Sequence, residues 1–185
     1  MQHIWSWHAV LFDSVERESV TTKVLDEAWS VTIHRPGLAW GYCIPLPGDA
    51  KSHIMWNAGV RVMSTTGQVS PGIALHDFTH GILLQINERN NIAELRYVNV
   101  NKKTIRKKSF RVAVFSFPCD INLSYNAITS MCAGFINTEK LFEMSLPYKG
   151  IPTLMEISAI EVVTTTPDGE FGGTVKYDSL NLSCE

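Results

Sequence analysis

Apolar residues recur along this chain in runs of strand length, several with every second position apolar. The runs 8–15 (HAVLFDSV), 29–34 (WSVTIH), 58–64 (AGVRVMS), 81–88 (GILLQINE), 92–100 (IAELRYVNV), 109–117 (SFRVAVFSF), 140–147 (KLFEMSLP), 156–166 (EISAIEVVTTT) and 174–182 (TVKYDSLNL) are rich in Val, Ile, Thr and aromatics. Turn signals separate them, among them Pro36-Gly37, Pro47-Gly48-Asp49, Pro71-Gly72, Pro118 and Pro167-Asp168-Gly169. No amphipathic helix longer than two turns is expected. Short strands in this number predict an antiparallel sandwich or barrel. GILLQINE and IAELRYVNV, joined at Arg89-Asn90-Asn91, read as a hairpin, because asparagine tolerates the left-handed backbone of a tight turn. The runs from Val10 and from Val175 share an apolar-x-aromatic-Asp-Ser-apolar pattern, which predicts that the two ends close one sheet.

Length and composition narrow the picture. A chain of 185 residues fits one domain, 1–185, with its core over about 9–184. With 45% apolar and 18% charged residues and a formal charge of -2, nothing favours a nucleic acid or an anionic membrane as partner. The basic cluster Lys102, Lys103, Arg106, Lys107 and Lys108 reads as a solvated loop between strands. No window holds the roughly 18 to 20 consecutive apolar residues of a membrane span. The opening MQHIWSWHAV lacks the basic start and apolar middle of a secretory leader.

Cysteines and sequons point the other way, to an oxidising compartment. Cys43, Cys119, Cys132 and Cys184 are even in number, and Asn122-Leu-Ser and Asn181-Leu-Ser are N-glycosylation sequons. The cysteines lack the paired spacing of a zinc site. Of the three pairings open to them, proximity along the chain favours Cys119 with Cys132, leaving Cys43 with Cys184. The expectation is a secreted or lumenal protein.

The order VLFDSV (10–15), PGLAWGYC (36–43), SPGIALHD (70–77), SFRVAVFSFPC (109–119) with a second cysteine after a loop, LFEMSLP (141–147) and TVKYDSLNLSC (174–184) resembles small secreted fungal proteins. That family has a concanavalin-like jelly-roll β-sandwich, so the resemblance implies an all-β, single-domain fold. Some members act as hetero-Diels-Alderases that join a quinone methide to a polyene terpene. The resemblance therefore implies a cofactor-independent pericyclase acting on small hydrophobic substrates, a reaction that needs two reactants held in a dry pocket and no nucleophile or metal. A homodimer is an assembly to test. The competing function is a non-catalytic carbohydrate-binding module, which would stack sugar rings on exposed aromatics.

Candidate site residues follow, each with a plainer role beside it. Trp40 and Tyr42 flank Gly41 at strand spacing, so both rings would share a face, lining either a pocket mouth or the core. His53 and Trp56 lie three apart. His53, with Tyr42, is the expected catalytic residue, since imidazole near its ordinary pKa can serve as an acid. Trp40, Trp56, Arg61, Gln85, Arg96 and Tyr125 are the expected substrate-binding residues. For Arg61, Gln85 and Arg96 the alternative is the wet side of a sheet. His76, Asp77 and His80 read as a turn with capping side chains rather than a metal site. Glu156 and Glu161 are five apart, on opposite sides of a strand, which argues against a glycosidase couple.

Overall fold

A computed structural model describes residues 20–25, 28–33, 39–46, 53–77, 79–99, 104–147, 150–161 and 172–185. These form two antiparallel sheets, and no helix occurs among them. The seven-stranded sheet runs in the order β1 (Val20–Leu25), β2 (Ala28–Ile33), β13 (Gly173–Cys184), β4 (Met55–Gly67), β9 (Cys119–Asn126), β10 (Met131–Ile136), β11 (Glu139–Ser145). The six-stranded sheet runs β3 (Ala39–Pro45), β12 (Leu154–Glu161), β5 (Val69–His76), β6 (His80–Asn87), β7 (Ile92–Asn99), β8 (Thr104–Arg111). Two meanders, β6–β7–β8 and β9–β10–β11, fill one side of each sheet. The two C-terminal strands then insert between earlier ones, β12 between β3 and β5 and β13 between β2 and β4. This is the expected concanavalin-like jelly-roll sandwich.

Strand alternation builds the core. On β4, Trp56, Ala58, Val60 and Val62 turn inward, and Ile121, Leu123 and Tyr125 of β9 do the same beside them. The six-stranded sheet answers with Ile73, Leu75, Ile82, Leu84, Ile86 and Leu95, all buried. The expected hairpin is β6–β7, and Asn91 holds the left-handed backbone at its turn with φ 50°. The run 8–15 lies outside the described residues, so the expected closure of the two ends is not visible.

Three expectations need correction. SFRVAVFSF is not one core strand: β8 stops at Arg111, Val114 is 73% exposed, and of the residues that follow only Phe115 is buried before Cys119. Of the basic cluster, Arg106, Lys107 and Lys108 lie not in a loop but in β8, the edge strand of its sheet, and Lys102 and Lys103 lie outside the described residues. Charged residues suit an edge, where they discourage pairing with another chain.

The expected disulfides are not formed among the four cysteines. Cys132 lies opposite Tyr125 of β9, six residues along the strand from Cys119, which pairs instead with Val62. Six residues of strand span about 20 Å, far beyond the ~7 Å Cα separation that a bridge allows. Cys43 lies in the six-stranded sheet and Cys184 in the other, opposite Trp56. Burial pushes the Cys119 and Cys132 thiols up to about 12, so little thiolate forms near neutral pH. Intact mass is therefore expected to be the same with and without reductant. A brief alkylation should modify Cys184, the one thiol of the four that is not buried, and reach the others only in denaturant.

Candidate functional site

Most polar positions on these strands are spent on solvent or turns. One face differs. Residues opposite each other across a ladder share a face, and on the outer side of the six-stranded sheet two rows cross β5, β6, β7 and β8. The first is Gly72, Gln85, Glu94 and Ser109; the second is Ala74, Leu83, Arg96 and Lys107. Ala74 and Leu83 pack with Val98 into a small apolar cluster separate from the main core. Around it stands a connected polar group.

Glu94 is its centre. Arg96 Nε donates to Glu94 Oε2 at 2.9 Å, and its second nitrogen donates to the same oxygen. Lys107 Nζ lies 2.5 Å from Glu94 Oε1, which Ser109 Oγ also approaches at 3.4 Å. Burial alone would raise the Glu94 pKa, but hydrogen bonds and charge from Lys107 and Arg96 outweigh it and hold the carboxyl below its ordinary value. Exposure grows along the group, from 14% for the Glu94 side chain to 29% for Arg96 and 47% for Lys107. At the inner end, Gln85 is buried, and its Oε1 accepts no hydrogen bond.

Of the residues expected from sequence, Gln85 and Arg96 come together here. The others do not. Trp56 and Tyr125, expected to bind substrate, are fully buried in the core, their rings 6.1 Å apart, with the Tyr125 hydroxyl donating to Gly150 O. Strand parity decides this, since both share a face with Ala58, Val60, Ile121 and Leu123. Trp40 and Tyr42 lie on β3, and their side chains are outside the described residues. His53 is half-buried just before β4.

Arg61 sits on the outer side of the other sheet, opposite Asp120, in an open depression of about 370 Å³. Both sequon asparagines line it: Asn122 is half-buried with Nδ2 3.4 Å from Asn137 O, and Asn181 is exposed. His76, Asp77 and His80 do form a capped turn, in which the Asp77 carboxylate accepts from Thr79 N, Thr79 Oγ1 and His80 N. His76 itself is buried, its Nε2 4.0 Å from Cys43 Sγ. Sequence reasoning missed Glu94, Lys107 and Ser109. Glu94 and Arg96, two apart in a strand, were legible as one face; Lys107 was hidden in a segment read as a loop.

No protein-family model matches the chain, and no curated protein sequence does. Solved structures match its fold. A sialidase superposes with a TM-score of 0.62 at 6% identity over 89% of this chain, which spans only 16% of that protein. A prokaryotic β-1,3-1,4-glucanase (lichenase) from a mouse hindgut metagenome gives 0.60 at 11% identity, covering 89% of this chain and 82% of the other. The carbohydrate-binding module CBM66 from Bacillus subtilis gives 0.53 at 7% identity, covering 88% and 91%.

Proposed function

We propose that this protein is a carbohydrate-binding jelly-roll domain that takes a saccharide on the outer face of its six-stranded sheet. The observation that carries the reading is the connected Glu94, Arg96 and Lys107 group, which opens toward solvent from Glu94 to Lys107 on that face. Planar amide, carboxylate and guanidinium groups each offer paired positions to neighbouring hydroxyls. The shared fold with a lichenase and a carbohydrate-binding module supports the same reading.

The geometry favours binding over hydrolysis at this place. A glycosidase acid needs a raised pKa, whereas Lys107 and Arg96 keep Glu94 ionised. β12, which bears Glu156 and Glu161, lies three strands from β7, or about 14 Å of sheet.

Isothermal titration with soluble mixed-linkage β-glucan, fructan, chitin oligosaccharide and polygalacturonate tests the proposal. Saturable binding to at least one is expected, weakened about tenfold or more in Arg96→Gln with the melting temperature retained. No saturable binding to any of them would overturn it.

A further inference from the structure

The charges that β7 and β8 bring to this face do not balance. Arg96 and Lys107 share a single carboxylate, with one Glu94 oxygen turned to each. The same side of β8 continues through Ser109 to Arg111, which is exposed and lines an open depression of about 540 Å³ with Asn90, Asn91, Val112 and Ala113. Lys107 and Arg111 are four residues apart on one strand, about 13 Å. Three cations thus run along β7 and β8 against one acid, on a chain whose net charge is -2. Glu94 occupies the inner side of Arg96 and Lys107. Lys107, at 47% exposure, keeps donors free on its outer side.

Resting on the carbohydrate reading above, we infer that the saccharide is acidic: a polysaccharide whose sugars carry carboxylates, which Arg96, Lys107 and Arg111 hold. A guanidinium meets a carboxylate through two parallel N–H donors, and an ammonium meets it as a point charge. A polymer with a carboxylate on each sugar engages successive cations of the row, where a neutral glucan engages none. Glu94 then has a defined part. It holds Arg96 and Lys107 upright and offsets half of their joint charge, so the acidic ligand competes with it.

The test compares polygalacturonate with the same polymer methyl-esterified, which keeps the backbone and removes the charge, and with neutral mixed-linkage β-glucan. The wild-type protein should bind polygalacturonate, and the affinity should fall about tenfold or more between about 0.05 and 0.5 M NaCl. The pair Arg96→Gln and Lys107→Gln should each weaken it about ten- to hundredfold with the melting temperature kept. Glu94→Gln should bind it several-fold more tightly, an outcome that a structural role for Glu94 does not produce. Equal, salt-insensitive binding of the esterified polymer or the neutral glucan would overturn the inference and leave the carbohydrate reading standing. Binding of none of the three, together with failure of the wider titration above, would overturn both.

Discussion

Replacing Trp56 by alanine is expected to remove about 3–5 kcal/mol of folding stability. Trp56 is fully buried on β4, which pairs with β13 on one side and β9 on the other. Across that sheet it stands in an inward row, Cys184, Trp56, Tyr125, Cys132 and Met144, each opposite the next. The indole stacks on Tyr125 at 6.1 Å with an interplanar angle of 26°. Its removal leaves a cavity that neighbours fixed in a hydrogen-bonded ladder cannot close, and each Å³ left empty costs about 24 cal/mol. In a domain of this size that loss corresponds to a fall of roughly 6–20 °C in melting temperature. Trp56→Phe should be milder than Trp56→Ala, because it leaves a smaller cavity, keeps an aromatic ring and deletes a buried Nε1–H that has no acceptor among the described residues. Urea unfolding of the two variants measures both. A Trp56→Ala protein that unfolds at the wild-type midpoint would mean that the indole is not in the core, and would restore it as a ligand-facing residue.

Trp56 also marks where reading the sequence works and where it stops. The alternation in AGVRVMS predicts a strand, and the strand exists as part of β4. Alternation gives two faces without saying which is inside, so an aromatic in such a strand is core or surface until its partners are known. Gln85 and Arg96 were legible because a polar side chain in an otherwise apolar strand must find water, a partner or a ligand. Their link through Glu94 to Lys107 was not, since it depends on the β7–β8 register.

Register also decided the cysteines: Cys119 and Cys132 flank one hairpin, and a six-residue stagger keeps them apart. In SFRVAVFSF the period-two pattern misled. Past Arg111 the backbone leaves the ladder as Val112 N donates to Asn91 O at 2.8 Å and Phe115 N approaches the Asn91 side chain. The strand forms upstream instead, on a basic segment whose charges suit an edge. β5 fails in the opposite sense. Pro71-Gly72 signals a turn, yet every residue of β5 is buried, and packing on both faces overrides the local preference.

Burial of ionisable groups sets the second large effect, an alkaline limit to the fold. Cys119 and Cys132, whose thiols ordinarily ionise near 9, are pushed up to about 12, chiefly by burial. Tyr125 moves from 10 to about 12, and Tyr177, fully buried, is pushed up further, both again by burial. All four are raised in the folded state, so their contribution to stability is complete below the unfolded pKa and disappears as pH climbs toward the folded one. For the thiols that window opens near pH 9 and for the tyrosines near 10, and the loss continues to about 12. At about 1.4 kcal/mol per pH unit, each thiol forfeits on the order of 4 kcal/mol by pH 12 and Tyr125 about 3. Each such loss is a sizeable part of the stability of an ordinary domain, about 5–15 kcal/mol. The protein should therefore unfold cooperatively between about pH 9 and 12, and phenolate absorbance from its buried tyrosines should rise in step with the loss of the β-sheet circular dichroism signal. The double variant Cys119→Ala, Cys132→Ala should shift that midpoint upward relative to its own neutral-pH stability. Phenolate absorbance that titrates for every tyrosine with a midpoint near pH 10 while the sheet signal stays intact would show that Tyr125 and Tyr177 are open to solvent, and would remove the burial on which the effect depends.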